Sequence, residues 1–323
     1  MQILEPDTLA AQTRIEIKQN IIKHNYEITI AGFLMAGDRA SETYAHYTQK
    51  GCEDVGINFQ LIKVDQYSVY EKLEAANSDP NIHGIFVYYP IFGDHHDTEL
   101  RDVVSWQKDV EGLNTYWLRK LYANERYVDT EQTLKAILPC TPLAIIKLLT
   151  SIDSYSNTML PFQGCTISVF NRSEVVGRPL AYMLSNDGGT VYSFDIYGGI
   201  IISASSTSID TIDTIDTIDT IDINNLPSPI TPTISREQAL ATSDIIITGV
   251  PNRDFLKITA KELHGHPICL NFSHIQNFTQ QAQEQARCFI PRVGTLTVAM
   301  CLRNALRLYR HYWSLSIQKT SGS

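Results

Sequence analysis

Short apolar runs alternate with helix-like patterns along most of this 323-residue chain. In the first half, residues 28–35, 59–64 and 84–89 have the length and the flanking turn residues of buried strands. Apolar residues at helical spacing precede and separate them, as in residues 7–23 and 41–55. Strands that alternate with helices predict a mostly parallel sheet covered by helices, because parallel strands need a long crossover connection.

A second series of strands and helices follows the polar stretch at residues 151–163. The first apolar run of this series leads through a turn into a helical pattern that ends near residue 184. The predicted strands of this half are residues 165–170, 190–194, 244–249 and 267–272. This second alternation predicts a doubly wound sheet of the Rossmann type, in which ligands bind beyond the carboxyl ends of the strands.

Two domains follow from the two series and from the length of the chain, since domains commonly span about 100–200 residues. We predict an N-terminal α/β domain at residues 1–150 and a Rossmann-type domain at residues 151–294. The amphipathic pattern at residues 295–314 predicts a helix long enough to return to the first domain and complete it. The predicted fold class is therefore α/β with two domains.

A tripeptide repeat of Thr-Ile-Asp occupies residues 208–223. A period of three fits neither an α-helix nor a β-strand. Three prolines follow closely, at positions 227, 229 and 232. We interpret residues 198–234 as a mobile surface insertion in the second domain.

The overall charge is acidic, with a formal net charge of −9 and a pI of about 5.5. No basic stripe is apparent, so we do not expect nucleic acid as a partner. Because the net charge gives an anionic cofactor little attraction, local backbone dipoles must hold its phosphates. No apolar run of about 18 residues occurs, and we expect no membrane span.

The six cysteines are scattered, without a CxxC pair or another paired spacing. This pattern is typical of reduced thiols, and the N-terminal segment lacks the apolar stretch of a signal peptide, so we predict a cytosolic protein. His95 and His96 stand beside Asp94 and Asp97. We interpret this group as a solvated loop, and we predict no metal site.

A candidate nucleotide-binding turn lies between the predicted strand at residues 165–170 and the helix that follows it. Asn171 stands where the usual glycine-rich fingerprint has its first glycine, and asparagine tolerates left-handed backbone better than most residues. Ser173 is a suitable N-cap, and Gly177 would allow close packing of helix and strand. Arg172 and Val176 complete the predicted contacts. An ordinary capped strand–helix turn remains the alternative interpretation.

Asp195 ends the next predicted strand, eighteen positions after Gly177. A carboxylate at about this spacing accepts hydrogen bonds from the adenosine ribose of NAD, and its charge repels the additional phosphate of NADP. Arg172 is a contrary signal, since an arginine in the turn could pair with that phosphate. We favour Asp195 and predict NAD as the cofactor. Three further predicted NAD contacts are Gly249, Val250 and Thr295.

Six segments together resemble one family, the methylenetetrahydrofolate dehydrogenase/cyclohydrolases. They are GDRASETY (residues 37–44), VYYP (87–90), KDVEGLN (108–114), PCTP (139–142), NRSEVVGRP (171–179) and VGTLTVAM (293–300). The likeness covers nearly the whole chain and is strongest to the monofunctional, NAD-dependent branch. It implies oxidation of 5,10-methylenetetrahydrofolate to 5,10-methenyltetrahydrofolate in one-carbon metabolism. It also implies a homodimer, a reduced folate as substrate, and a folate cleft between the two domains.

The resemblance also assigns roles to individual residues. Tyr44 matches a tyrosine that packs on the aminobenzoyl ring of folate, and Glu111 matches an acidic residue that grips the pterin. A carboxylate can accept hydrogen bonds from the pterin N3–H and 2-amino group at once. Cys140 and Thr141 match a segment that lines the cleft. We predict Tyr44, Tyr88, Glu111 and Cys140 as the catalytic set, and Tyr44, Tyr88, Glu111 and Thr141 as the folate contacts.

Two departures from the family bear on its second activity. Bifunctional members carry a lysine where this chain has Thr48, and a glutamine where it has Tyr88. Both are credited with the water chemistry of the cyclohydrolase step. Lys50 is two positions further, about 200° around a helix, so it cannot replace the lysine. The departures favour a dehydrogenase without cyclohydrolase activity.

Two other interpretations remain open. One is a bifunctional dehydrogenase/cyclohydrolase. The other is a non-catalytic, NAD-binding relative, because the repeat insertion and Arg292, which replaces a frequent glycine, could both disturb the cofactor pocket.

Overall fold

A computed structural model describes residues 1–35, 37, 39–152, 160–203 and 233–314. The Thr-Ile-Asp repeat, which we interpret as part of a surface insertion, lies outside the described residues. The chain forms two compact units. We call residues 7–144 with 294–314 the three-strand unit, and residues 1–6 with 145–293 the seven-strand unit.

The elements follow one another in the alternation that the sequence predicts. In the first part of the chain they are β1 (Gln2–Ile3), α1 (Asp7–His24), β2 (Thr29–Met35), α2 (Arg39–Val55), β3 (Asn58–Val64), α3 (Val69–Ser78), β4 (Gly84–Tyr88), α4 (His96–Val103), α5 (Thr115–Tyr122) and α6 (Cys140–Thr150). In the second part they are β5 (Thr166–Phe170), α7 (Gly177–Asn186), β6 (Thr190–Asp195), β7 (Gly198–Ile202), α8 (Arg236–Thr242), β8 (Ile245–Thr248), β9 (Ile268–Asn271), α9 (Gln280–Gln285), β10 (Cys288–Ile290) and α10 (Gly294–Tyr312).

The three-strand unit is built on a parallel sheet with the order β3-β2-β4. Its central strand, β2, is buried along the five residues between its ends, as its uninterrupted apolar sequence predicts. On one side of the sheet, Phe33 and Val87 pack with residues of α3 and α4 in one hydrophobic cluster. Helix α10 belongs to this unit and packs against α1 and α2.

The seven-strand unit contains a sheet with the order β1-β10-β9-β8-β5-β6-β7. All neighbouring strands are parallel except β7, which pairs antiparallel with β6. Since β5 lies between β6 and β8, the loops after these three strands meet at one edge of the sheet. The predicted fold class, a two-domain α/β protein with a parallel nucleotide-type sheet, is confirmed.

Both ends of the predicted insertion were wrong. Residues 198–202 form β7, and Gly199 accepts a hydrogen bond from the Thr233 N–H at 2.8 Å. Helix α8 follows, and a capping box of Ser235 and Gln238 closes its N-terminus. The sequence GGIII of β7 was missed because two glycines weaken a strand pattern and a low-complexity repeat follows almost at once.

The extreme N-terminus also differs from a simple two-part division of the chain. Gln2 and Ile3 pair with Cys288 and Phe289, which makes β1 the edge strand of the seven-strand sheet. A two-residue strand has no periodicity to detect, so sequence patterns could not place it. The functional domain limits at residues 1–150 and 151–294 stay a prediction. Among the described helices, we find none with the length and hydropathy that a bilayer crossing requires.

Candidate active site

The turn after β5 is closed by the side chain of Asn171. Its Oδ1 accepts hydrogen bonds from the Ser173 N–H and hydroxyl at 2.9 and 2.8 Å, while its Nδ2 donates to the Gly249 carbonyl at 2.8 Å. Asn171 does not use the left-handed backbone that asparagine tolerates, since its φ is not positive. Asparagine serves here through its amide, which fastens the turn to the end of β8.

Ser173 does not cap helix α7 in the way that we predicted. The helix begins at Gly177 with Val176 at the N-cap position, and Ser173 lies one turn before it. The Ser173 hydroxyl instead accepts from the Val176 and Gly177 N–H groups, at 3.2 and 3.4 Å. The longer of these bonds is weak, so an incoming phosphate oxygen could take over that N–H at little cost.

Gly177 stands where α7 comes closest to the end of β5. A Cβ atom at this position would lie 1.9 Å from the Asn171 carbonyl oxygen and 2.3 Å from its carbon. These are backbone atoms that cannot yield as a flexible side chain would. The close helix–strand packing predicted for this residue is therefore present, and only glycine permits it.

Arg172 and Asp195, which the sequence presented as opposing signals, form one ion pair. Arg172 Nη1 lies 2.5 Å from Asp195 Oδ2, and the same guanidinium donates to the carbonyls of Ser193 and Gly198. The other Asp195 oxygen accepts the Tyr197 N–H at 2.7 Å. Desolvation lowers the pKa of Arg172, and the neighbouring Asp195 opposes that change. The arginine is thus held by protein acceptors and is not free to pair with a phosphate.

Gly249 and Val250 follow β8 at the same edge of the sheet. The Gly249 N–H donates to the Phe170 carbonyl at 3.1 Å, and the Val250 N–H donates to Asn277 Oδ1 at 2.9 Å. The structure thus brings together most of the predicted NAD contacts beyond the carboxyl ends of β5, β6 and β8. Thr295 belongs to the first turn of α10, in the three-strand unit.

The predicted folate residues of the three-strand unit gather around an aromatic cluster. The rings of Tyr44, on α2, and Tyr88, at the end of β4, meet edge-on with centroids 5.8 Å apart. Phe86 contacts both rings, at 6.2 and 4.6 Å. Such tilted and edge-on contacts suit the quadrupoles of aromatic rings and hold the rings in fixed orientations.

Both tyrosines are kept in the phenol form. Desolvation raises the pKa of Tyr44 well above its usual value and raises the pKa of Tyr88 as well, while Cys301 and Glu111 add smaller effects in the same direction. Within the described part of the chain, the Tyr88 hydroxyl has no hydrogen-bond partner. Neither hydroxyl is therefore suited to remove a proton at neutral pH.

Glu111 is close enough to Tyr44 and Tyr88 to raise the pKa of both, and it accepts a hydrogen bond from the Val87 N–H at 3.0 Å. Burial raises the pKa of Glu111 to about 8; the Val87 bond opposes the change and the nearby Asp109 adds to it. At neutral pH, without a ligand, this carboxyl is therefore mostly protonated. A ligand that offers two N–H donors would favour the carboxylate and so bind with loss of a proton.

Asp109 and Lys108 hold the loop that carries Glu111. Asp109 is buried and accepts from three backbone N–H groups, those of Glu111, Gly112 and Asn114, at 2.7–3.0 Å. Burial raises its pKa to about 6 despite these bonds. The Lys108 ammonium donates to two backbone carbonyls at 2.7 and 2.9 Å.

Cys140 begins α6 with its thiol buried rather than poised for attack. Its Sγ donates to the Val110 carbonyl at 3.2 Å, and its N–H donates to the Glu111 carbonyl at the same distance. Asn304 of α10, which sequence reasoning missed, donates to the Val110 and Leu138 carbonyls at 3.0 and 2.9 Å. Cys140 therefore positions the Glu111 loop. Thr141 is the next residue of α6 and is partly exposed.

Thr48 and Tyr88, the two departures from the family pattern, are neighbours in the structure. Thr48 is fully buried, and its hydroxyl donates to the Tyr44 carbonyl at 3.1 Å. The same hydroxyl interacts with the Tyr88 hydroxyl and partly opposes the rise in the pKa of Tyr88. Lys50 is exposed, as expected of a residue on another side of α2. At the position where bifunctional members of the family carry a lysine, this chain has the buried, uncharged Thr48, which lies beside the uncharged Tyr88.

The histidine pair at the start of α4 is only partly the solvated loop that we predicted. Ligand atoms of Asp94, His95 and His96 lie within 4.8 Å of one another, and His96 Nδ1 is 2.8 Å from Asp94. Asp97 is buried instead and accepts the N–H groups of residues 91–93. The apolar Ile91 at the start of this turn was the sequence feature that indicated a turn packed against the core.

Comparisons with known proteins all indicate the same family. The catalytic domain of the tetrahydrofolate dehydrogenase/cyclohydrolase family matches residues 4–111, and the NAD(P)-binding domain of that family matches residues 139–208. The methylenetetrahydrofolate dehydrogenase (NAD+) of Dictyostelium discoideum is 38% identical over 302 residues, which is 92% of this chain and 91% of that protein. The enzyme of the same name from Saccharomyces cerevisiae is 39% identical over 287 residues, 87% of this chain and 86% of that protein.

A solved structure gives the same result. The NAD-dependent 5,10-methylenetetrahydrofolate dehydrogenase from Saccharomyces cerevisiae superposes with a TM-score of 0.82 at 34% sequence identity, and the match covers 98% of this chain and 99% of that one.

Proposed function

This chain belongs to the tetrahydrofolate dehydrogenase/cyclohydrolase family, and we propose that it oxidises 5,10-methylenetetrahydrofolate to 5,10-methenyltetrahydrofolate with NAD. The observation that carries the proposal is the partly buried Glu111 near the Tyr44–Tyr88 pair, which offers a carboxylate and two aromatic rings to a pterin-type ligand. The homodimer and the cytosolic location belong to the same proposal. The first rests on the resemblance, and the six free cysteines support the second.

The chemistry requires no proton-abstracting group. Loss of hydride from the methylene carbon is driven by a nitrogen lone pair, and the product is a resonance-stabilised amidinium cation. NAD supplies the hydride acceptor, the C4 atom of its nicotinamide ring. The residues of this chain orient the substrate and exclude competing reactions, a contribution that proximity effects make large. The raised pKa values of Tyr44 and Tyr88 are consistent with a reaction that needs no base.

Glu111 supplies the orientation of the pterin in this proposal. Its carboxylate would accept the N3–H and the 2-amino group together, a two-bond contact that fixes both position and angle. Cys140 and Asp109 hold the loop of Glu111 through backbone hydrogen bonds, so the carboxylate is placed before the substrate arrives. The folate therefore binds to the three-strand unit.

The seven-strand unit fits NAD. Gly177 lets α7 begin directly against the end of β5, where a phosphate could meet the N–H groups at the start of the helix, and the end of β6 offers the Asp195 carboxylate to ribose hydroxyls. The Arg172–Asp195 pair leaves no unpaired guanidinium for the additional phosphate of NADP. This pair is the feature on which we base a preference for NAD.

Replacing Asp195 with serine tests that preference. Removal of the carboxylate leaves Arg172 without its ionic partner, so the ratio of kcat/KM for NADP to that for NAD should rise about tenfold or more, because a charge contact of this kind is worth over about 1 kcal/mol. Steady-state kinetics with both cofactors measure the ratio. The exposed Asp254→Asn variant of the same unit removes the same charge and should leave the ratio unchanged. An unchanged ratio in the Asp195→Ser variant would show that the pair does not select the cofactor.

The tyrosine pair is expected to act through its ring faces. Tyr44→Phe and Tyr88→Phe should each keep kcat within about threefold of the wild-type value, since a developing cation is attracted by the face of a ring and not by its hydroxyl. Tyr44→Leu and Tyr88→Leu provide the contrast and should lower kcat about tenfold. Collapse of turnover in the phenylalanine variants would assign the chemistry to the hydroxyls.

The decisive experiment incubates the purified protein with methylenetetrahydrofolate and either NAD or NADP. We expect reduced nicotinamide to appear faster with NAD. Arg292, which suggested a non-catalytic relative, forms an ion pair with Glu5 at 3.0 Å. If neither cofactor is reduced although NAD binds saturably, the non-catalytic alternative is correct.

The same reaction mixture separates a dehydrogenase from a bifunctional enzyme. We expect methenyltetrahydrofolate to accumulate and to decay at the same rate with and without protein, because Thr48 and Tyr88 replace the residues credited with the water chemistry. A decay that accelerates in proportion to the protein concentration would establish a cyclohydrolase.

A further inference from the structure

A basic cavity of about 330 Å³ opens in the three-strand unit, beside the C-terminal half of α10. One wall is a loop that follows α5, and the other is the face of α10 that ends near residue 311. Its lining residues are Thr133, Leu134, Lys135, Arg303, Leu306, Arg307, Arg310 and His311. None of them is among the residues that we propose for folate or NAD.

The three arginines of the cavity lie on one face of α10. Arg303, Arg307 and Arg310 are spaced by four and three residues, the spacing that places side chains above one another on a helix. Lys135 adds a fourth cation from the loop. Four positive groups in one cavity are unexpected in a chain with a net charge of −9, and an isolated helix would be destabilised by such like-charge neighbours.

Mutual repulsion among the cationic groups of the cavity contributes to the lowered pKa values of Arg307 and His311. Desolvation, with Arg303 and Arg310 as further causes, lowers the pKa of Arg307 to about 9. Desolvation followed by the same type of repulsion, from Arg307 and Arg310, lowers the pKa of His311 to about 4. His311 is therefore neutral at physiological pH.

The carboxylates near the cavity do not neutralise it. Within the described residues, none of the three arginines has an ion pair within 4.0 Å. Glu16 and Asp129 act on Arg303 and His311 only at longer range, and Asp129 is engaged by the Thr133 hydroxyl and two backbone N–H groups.

One buried donor atom also lacks an acceptor. In the described part of the chain, Arg303 Nη1 is buried without a hydrogen-bond partner, and so is His311 Nδ1, whose role as donor or acceptor depends on the tautomer of the ring. Arg307 uses one nitrogen, Nη1, for the Ala136 carbonyl at 2.9 Å, which fixes the direction of its guanidinium. Unsatisfied buried donors are costly, and a bound acceptor would remove that cost.

We propose that this cavity binds a compact anion with two linked phosphate groups. Guanidinium forks match phosphate oxygens in pairs, and each phosphate brings about 1.5 to 2 negative charges against one for a carboxylate. The volume is near the lower end of the roughly 300–1,000 Å³ of ligand pockets, and the aliphatic lining is limited to Leu134 and Leu306. Since the described lining residues include no aromatic ring other than that of His311 to stack on a base, the cavity suits a diphosphate better than a whole nucleotide.

Inorganic pyrophosphate is the probe for this proposal. Isothermal titration of the full chain at physiological ionic strength should show saturable binding to one site, and the melting temperature should rise with pyrophosphate concentration, because a ligand of the folded state stabilises it. Arg310→Gln, which changes an exposed residue and should fold normally, is expected to weaken binding at least about tenfold. Arg303→Gln should weaken it further, since that variant also removes the unpaired buried donor.

The control variant is Arg119→Gln, which removes an equal charge from an exposed position on α5 of the same unit. Its pyrophosphate affinity should equal that of the wild type. Equal affinities of the Arg310→Gln and wild-type proteins would move the site elsewhere, for example to the nucleotide turn, and overturn the proposal. Citrate should bind at least about tenfold more weakly than pyrophosphate, and equal binding would overturn the assignment to phosphate. The absence of saturable binding would overturn the proposal entirely.

Discussion

Replacing Glu111 with glutamine should lower kcat/KM for methylenetetrahydrofolate about 100-fold. Hydrogen bonds to a charged acceptor contribute about 1.5–3 kcal/mol, and an amide offers the pterin one acceptor and one mismatched donor where the carboxylate offers two acceptors. The amide oxygen can still accept the Val87 N–H, so the loop should keep its structure. The loss therefore measures ligand recognition, and steady-state kinetics at saturating NAD report it.

The pH dependence gives this prediction a second readout. Burial raises the pKa of Glu111 to about 8, so at lower pH a growing fraction of the unliganded protein holds a proton that folate binding must expel. We expect wild-type kcat/KM to fall as pH falls below about 8, by up to tenfold for each pH unit. The Glu111→Gln variant has no such proton and should lack this dependence. Asp109, whose burial raises its pKa to about 6, titrates in both proteins.

Stability should change in the opposite direction. Because the folded state favours the protonated form of Glu111, the wild-type free energy of unfolding should decrease as pH rises from the ordinary carboxyl pKa towards 8. Glutamine removes that decrease, so the variant should melt no lower than the wild type at pH 8. Glu99→Gln, at an exposed position of the same unit, should change neither property. A kcat/KM for Glu111→Gln within threefold of wild type would mean that the carboxylate does not contact folate.

The sequence revealed those parts of the fold in which a local pattern matches a local structure. The apolar run of β2 and the helical spacing of α1 and α10 are of this kind, and each element lies within a few residues of its predicted position. The strand β7 was missed because its neighbouring sequence, and not its own five residues, determined our interpretation. Edge strand β1 depends on a partner 286 residues away in the chain and has no local signal at all.

The candidate site shows the same limit at the level of side chains. Residue type and spacing indicated Asp195 and Arg172 individually, but their contact depends on the antiparallel return of β7, which no pattern disclosed. The pKa of Glu111 likewise follows from burial, which a sequence does not specify for a single loop carboxylate. The basic cavity was not apparent from the sequence either, because Arg303, Arg307 and Arg310 resemble an ordinary solvated helix face until the fold brings Lys135 beside them.

Replacing Gly177 with alanine should abolish measurable NAD binding, with a loss of affinity of at least about 100-fold. A Cβ atom would lie 1.9 Å from the Asn171 carbonyl oxygen, so either α7 or the end of β5 must move. Asn171 also holds Gly249 through its amide, and any shift of the turn disturbs the backbone on both sides of the nucleotide site. A displacement of about 1 Å in such a site is sufficient for a 100-fold effect.

Folate affinity provides the internal control for this variant. The folate residues belong to the three-strand unit, so titration with a reduced folate should give a dissociation constant close to that of the wild type. Gly294→Ala serves as the control for stability, since a Cβ atom there meets no atom within 4 Å, and its melting temperature should exceed that of Gly177→Ala. If Gly177→Ala bound NAD as well as the wild type does, the close approach of α7 to β5 would not form the cofactor site. The turn between β5 and α7 would then have to be interpreted as an ordinary capped strand–helix turn.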